Sequence, residues 1–134
     1  MRLLVLGGTV FLSRAVAAHA RDRGHDVTCV ARGISGQPPD GVRFARLDRA
    51  SPHALAPIAG VEFDAVVDVA RQSVSQVRAA VHALGARAEH WTYVSSRSVY
   101  GEKITPGQDA TAMLVDAADD SLDEDDPVNY GNLK

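Results

Sequence analysis

The stretch Leu4-Val5-Leu6-Gly7-Gly8-Thr9-Val10-Phe11-Leu12-Ser13-Arg14 decides the fold. Its first part completes Met1–Leu6, a near-continuous apolar run of the kind a strand needs when both its faces are buried. After the two glycines the pattern changes to a helical period. Over Phe11–Arg23, apolar Leu12, Val16 and Ala20 recur with basic residues between them, and Gly24 follows as a C-cap. A strand that turns into a helix through glycines needs positive φ and no Cβ at the turn. The helix N-terminus then presents free N–H groups and a partial positive charge, which suits a phosphate.

Outward from this turn, short β-branched runs alternate with helix-length segments, which implies a parallel sheet covered by helices. Asp26–Ala31 reads as the second strand, Gly33–Gly41 with Pro38-Pro39 as a loop, and Val42–Leu47 as a short third strand. Ser51–Ala59 is a weak, proline-interrupted helical turn. Phe63–Val69 reads as the fourth strand, Ser73–Leu84 as a helix with Ser73 as N-cap and Gly85 near its end, and His90–Ser95 as the fifth strand. A long irregular stretch runs from Gly101 to Pro127. Such a loop in a compact domain is functional or mobile. Val128–Lys134 has room for one or two helical turns, which are not stable alone. The polypeptide is therefore expected to continue beyond Lys134, or this end to be held by neighbours.

The chain has 134 residues and 46% apolar content, enough for one domain with a real core. Its apolar runs are too short to cross a bilayer, and no secretory cleavage pattern follows the first strand. Cys29 is the single cysteine, so there is no disulfide framework and no thiolate metal cluster. In an apolar strand it is expected to be an inert buried thiol. The five histidines show no metal-ligand spacing, and no metal is expected. These features fit a cytoplasmic protein. The net charge of −3 hides an asymmetry: residues 1–103 carry thirteen Lys/Arg against nine Asp/Glu, whereas 104–133 carry eight acids and no base. A mildly basic body suits an anionic small molecule and is too weak for a nucleic-acid footprint. The acidic 116–126 stretch reads as a solvated loop.

The segment Leu4–Arg14 resembles the fingerprint of the extended and atypical short-chain dehydrogenases/reductases, the epimerase/dehydratase superfamily. A subgroup of it reads Gly-Gly-Thr-x-Phe-x-Gly-Arg. Gly7, Gly8, Thr9, Phe11 and Arg14 match. Val10 replaces the second glycine of the general Gly-x-x-Gly-x-x-Gly form, as the subgroup permits, and Ser13 replaces the last, which should push the helix out slightly. The resemblance implies a Rossmann-type doubly wound sheet in the order 3-2-1-4-5, with residues 1–134 as its N-terminal part and the later strands and substrate-binding region absent. It also implies a nicotinamide dinucleotide cofactor held by Gly7, Gly8, Thr9, Val10, Phe11 and Leu12. Arg32 falls where the adenosine ribose is read. No acid stands there for a ribose 2′-OH, so NADP is favoured over NAD, the alternative being a solvated loop arginine. Asp48 is similar to the family's adenine-contacting acid, although it would equally cap the turn at Ser51-Pro52, and Arg49 beside it falls with it among the coenzyme-binding residues. Val69, Ala70 and Arg71 fall on the family's nicotinamide-side channel.

The segment Tyr93–Gly101 resembles the family's Ser-Ser-x-x-Val-Tyr-Gly and places the catalytic hydroxyl on Ser96. Tyr130 and Lys134 supply Tyr-x-x-x-Lys. The i, i+4 spacing stacks both side chains on one helix face. A lysine ammonium beside a phenol lowers the phenol's pKa and makes it usable as an acid/base. The resemblance thus implies an oxidoreductase, epimerase or dehydratase that moves a hydride at a hydroxyl/carbonyl carbon of a small molecule, with nucleotide sugars as the default substrates. It is compatible with a homodimer and gives no reason to expect a membrane or nucleic-acid partner. A different class, a non-catalytic NAD(P)-sensing or RNA-binding module, stays open, because relatives with the Gly-Gly-Thr-x-Phe turn include RNA-binding proteins.

Overall fold

A computed structural model describes the chain apart from residues 70–72, 102–104 and 120. The chain divides into two compact units, Met1–Ala70 with Ser75–Val94, and Arg71–Val74 with Ser95–Lys134. The first unit holds a five-stranded sheet: β1 (Arg2–Leu6), β2 (Asp26–Ala31), β3 (Arg43–Arg46), β4 (Phe63–Asp68) and β5 (Ala88–Tyr93). The strand order is β3-β2-β1-β4-β5, with every pairing parallel, as the alternating pattern predicts. Two helices connect strands, α1 (Phe11–Asp22) after β1 and α2 (Val74–Leu84) after β4.

β1 is central, and its alternation divides the core in two. Leu4 and Leu6 pack with Val30, Leu55, Ile58, Phe63, Val66 and, from α2, Ala80 and Leu84. Leu3 and Val5 pack with Val27, Cys29, Ala65 and, from α1, Ala17 and Ala20. Successive side chains of a strand point to opposite faces, so the two helices cover opposite faces of the sheet. Leu4, Val5 and Leu6 are essentially fully buried, and each contributes about 1.5–3 kcal/mol by leaving water. Trp91 packs against the α2-side cluster, as a core residue would.

Beyond one-residue shifts at strand and helix ends, three segments differ from the sequence expectation. The Ser51–Ala59 segment forms turns and a single 3-10 turn, Ala56–Ile58, because Pro52 and Pro57 remove the N–H donors a longer helix needs. Strand β5 starts two residues early, at Ala88, where it pairs with Phe63, and ends at Tyr93. In the second unit, the expected helical turn after Val128 is a 3-10 turn, Pro127–Tyr130, capped by the Asp126 carboxylate accepting from the Val128 N–H at 2.9 Å.

Among its described residues the acidic stretch is largely exposed, and several of its acids bond to the nearby backbone. Asp109, Asp119, Asp123 and Asp126 each accept the N–H two residues ahead, a repeated Asx turn. Hydrogen bonds from Thr111 and Ser121 hold the carboxyls of Asp109 and Asp119 below the usual carboxylate range. Among the described residues no helix is long and apolar enough to cross a membrane.

Candidate coenzyme site

The turn between β1 and α1 has the geometry its glycines imply. Gly7 and Gly8 have φ of +129° and +93°, conformations costly for any residue with a Cβ. Gly8 lies directly on Cys29 of β2: a Cβ there would overlap the sulfur and stand 2.7 Å from the Cys29 Cβ. Gly7 faces Ser13, whose Cβ and Oγ would each be 3.2 Å from an added Cβ. Ser13 thus sits buried where the family's third glycine would be, and its hydroxyl donates to the Val10 carbonyl at 2.9 Å. The missing side chain of Gly7 is what makes room for it.

Val10 is the N-cap of α1, and no side chain caps this helix. The first turn carries no acid either, so the positive end of α1 is not neutralised locally. A Cβ-free approach, an uncapped helix end and a buried Thr9 fit the diphosphate of a dinucleotide. Phe11, the first helical residue, has φ of +39° and is 94% exposed. Backbone strain at a bulky residue is retained only where surrounding structure enforces it, and it clusters at ligand sites. Val10 and Leu12 are exposed beside it.

The loop after β2 lies against the turn. A Cβ on Gly36 would come within 2.6 Å of the Thr9 carbonyl oxygen, and Arg14 Nε donates to the Gln37 carbonyl at 3.3 Å. Arg32 is exposed at the end of β2. Arg46, at the end of β3, lies against the same loop: a Cβ on Gly33 would be 3.1 Å from its Nε. Neither Arg32 nor Arg46 forms an ion pair among the described residues. Arg46 was not singled out in the sequence. Its signal is the parallel register that sets it opposite Ala31, one residue before Arg32.

Asp48 is exposed after β3. Its Oδ1 accepts the Ala50 N–H at 3.1 Å and its carbonyl accepts the Ser51 N–H at 2.9 Å, so it does cap this turn. Arg49 turns inward. Its guanidinium donates to both carboxylate oxygens of Asp68, from Nη1 at 2.7 Å and Nη2 at 3.0 Å, and from Nη2 to the Gln76 carbonyl of α2 at 3.1 Å. Asp68 is completely buried and the Arg49 side chain is 12% exposed. Removing one partner of such a pair costs about 3–5 kcal/mol, because the other charge is left buried alone. Sequence reading missed Asp68, although a carboxylate closing the apolar run of β4 was a visible anomaly. Val69 follows it, its N–H donating to the Leu6 carbonyl at 3.2 Å beside the glycine turn. Ala70 and Arg71 lie outside the described residues. A cleft of about 310 Å³ opens between Arg49, the 51–59 crossover and α2, away from the glycine turn.

Burial pushes the Cys29 thiol up to about 11 from an ordinary 9.0. Below pH 9 both folded and unfolded thiols are protonated and stability is unaffected. Between 9 and 11 the unfolded chain alone releases the proton, so stability falls as pH rises. Denaturant titrations across that window are expected to show this slope of up to one proton, and Cys29→Ala to lack it. A slope unchanged in the variant would assign it to another group.

In the second unit, Ser96 is the N-cap of the 3-10 turn Arg97–Val99, its Oγ accepting the Ser98 N–H at 3.2 Å. Ser95 Oγ donates to the Lys134 carbonyl at 3.1 Å. Gly131 packs on the Ser98 backbone, where an added Cβ would stand 3.1 Å from the carbonyl carbon. Segments 95–99 and 130–134 are thus in contact, and Ser96, Tyr130 and Lys134 belong to one unit. Lys134 Nζ lies 5.7 Å from the Tyr130 ring centroid. The two groups are close, although this stretch is a 3-10 turn followed by turns rather than the helix on which the i, i+4 spacing relies.

A parallel 3-2-1-4-5 sheet with an open glycine turn after β1 defines a Rossmann-type domain. The sequence model of the NAD dependent epimerase/dehydratase family matches residues 3–89, and the chain belongs to that family. No curated protein sequence matches the chain. Among solved structures, a UDP-galactose 4-epimerase matches with a TM-score of 0.73 and 16% identity, covering 86% of this chain and 45% of its own. A Methylobacillus flagellatus protein assigned to the NAD-dependent epimerases/dehydratases matches at 0.67 and 28%, covering 77% and 40%. UDP-glucose-4-epimerase from Stenotrophomonas maltophila, with bound NAD and formylated UDP-arabinopyranose, matches at 0.72 and 20%, covering 86% and 43%. This chain spans less than half the length of each.

Proposed function

We propose that the chain forms the coenzyme-binding part of a nicotinamide-dependent enzyme acting on a nucleotide sugar. The observation that carries this reading is the Cβ-free turn at Gly7 and Gly8 leading into the uncapped N-terminus of α1. The family match and the bound NAD of the Stenotrophomonas relative support it. The backbone from Gly7 to Leu12 would hold the diphosphate, Asp48 the adenine, and Val69, Ala70 and Arg71 would line the nicotinamide side. Bound there, the nicotinamide would supply a two-electron hydride acceptor and donor. Tyr130 would exchange a proton with the substrate hydroxyl, with the Lys134 ammonium close to its ring. Ser96 Oγ would donate a hydrogen bond to the same oxygen as charge develops on it. Quenching of intrinsic fluorescence on titration with NADH and NADPH tests the reading directly, and no saturable binding of either would overturn it.

Arg32 and Arg46 near the β2 end, neither ion-paired among the described residues, favour NADP. A charge-assisted contact to a 2′-phosphate contributes about 1.5–3 kcal/mol, or roughly ten- to a hundredfold in affinity. NADPH is therefore expected to bind more tightly than NADH, by a margin that shrinks with added salt because Arg32 is exposed. Arg32→Ala should remove most of the margin, and Arg32→Ala with Arg46→Ala all of it. Equal wild-type affinities, or a preference for NADH that survives Arg32→Ala, would refute the assignment.

A further inference from the structure

The pair Arg49–Asp68 is a poor device for stability alone. Taking both charges out of water is repaid at best in part by their attraction, and an apolar pair of similar volume would hold the same elements at no loss. Arg49 Nε is moreover buried without an acceptor among the described residues. What an apolar pair lacks is direction. Two parallel N–H···O bonds fix the plane of the guanidinium, and the third bond to the Gln76 carbonyl fixes its position along α2.

The platform on which it is fixed is itself rigid. The Asp68 carbonyl accepts the Val94 N–H at 2.9 Å on the β5 side, and the next residue, Val69, donates to Leu6 on the β1 side. Asp48 precedes Arg49 directly. One oxygen of its exposed carboxylate is committed to the Ala50 N–H, and the other has no partner among the described residues.

We propose that Arg49 and Asp68 are positioning residues for Asp48. The pair anchors the exit of β3 to the tip of β4 and to α2, and so presents the outer oxygen of Asp48 to the exocyclic amino group of a bound adenine. The inference rests on the coenzyme reading above. It assigns Arg49 to the protein's own frame rather than to the coenzyme, and Asp68 to the reading of the base.

The test compares NADH with its hypoxanthine analogue, in which a carbonyl replaces the amino group, by fluorescence titration of the intact chain. The wild type is expected to favour adenine by about tenfold, the worth of one charge-assisted hydrogen bond, and Asp48→Ala to show no preference. Asp68→Asn, which keeps the shape and removes the charge, should bring the ratio to within about threefold of unity while affinity for the analogue changes little. A variant carrying Arg49→Met and Asp68→Leu should melt near the wild-type temperature and still lack the preference, which separates positioning from stability. Should Asp68→Asn fail to fold, that double variant and Arg49→Lys, which keeps the charge but not the bidentate fork, decide by the same ratio. A wild-type ratio retained in the folded variants overturns the positioning role. A wild type that binds both dinucleotides equally overturns the role of Asp48 and the proposal with it. A wild type that binds neither overturns the coenzyme reading itself.

Discussion

Gly8→Ala is expected to destabilise the chain by about 2–5 kcal/mol, a large fraction of the roughly 5–15 kcal/mol that holds a domain folded. Two costs combine. The added methyl would enter a backbone with φ of +93°, which penalises a side chain by roughly 1–2 kcal/mol. It would also overlap the Cys29 sulfur, in a strand with hydrogen-bonded neighbours on both sides that cannot retreat. Forcing a methyl into such a contact costs roughly 1–3 kcal/mol, occasionally more. The companion change Cys29→Ala removes the sulfur but not the Cβ at 2.7 Å, so in the double variant it should restore part of the loss and not all. Chemical denaturation of the four proteins measures this directly. A Gly8→Ala chain that melts within a few degrees of the wild type would mean that the turn can move away from β2, and the rigid cradle would be wrong.

On the proposed function, Tyr130→Phe is expected to lower nucleotide-sugar turnover by two to four orders of magnitude, the usual worth of a positioned acid/base group. Coenzyme affinity should change by less than about threefold, because the change removes one hydroxyl and leaves the ring beneath Lys134. Lys134→Ala should also reduce turnover, since its ammonium lies close to the Tyr130 ring. Single-turnover absorbance of the coenzyme separates the two effects. A Tyr130→Phe protein with the wild-type rate would remove Tyr130 from the mechanism.

The fold was largely legible because it rests on periodicity. The apolar run before Gly7 and the 3.6-residue period after Phe11 fixed β1, the turn and α1 to within a residue or two. The crossover at 51–59 was less legible: two prolines break the helical signal, while Leu55 and Ile58 still supply core contacts that no local pattern reveals. The site divides in the same way. Gly7 and Gly8 were readable because only glycine tolerates that backbone. The close approach of Tyr130 and Lys134 was not legible in the same way, since the i, i+4 expectation assumed a helix and this segment is a 3-10 turn followed by turns. The inward turn of Arg49 was not legible either, since its partners Asp68 and Gln76 lie 19 and 27 residues away and meet it only once the sheet is assembled. Arg46 was hidden for the same reason: its place beside Arg32 depends on the register between β2 and β3.

The central place of β1 also sets a timetable for folding. Leu3 pairs with Val27 on one side and with Ala65 on the other, so the strand acquires its second neighbour only after 62 further residues have followed it. At a synthesis rate of about 5–20 residues per second, that interval is about 3–12 s. Throughout it, Leu3, Leu4, Val5 and Leu6 lack half of their eventual cover, and contacts of such long range close slowly in any case. The nascent chain therefore carries an adhesive strand for seconds. A helper that shields short apolar segments during synthesis should raise the soluble yield of this protein more than that of a domain whose central strand is made last.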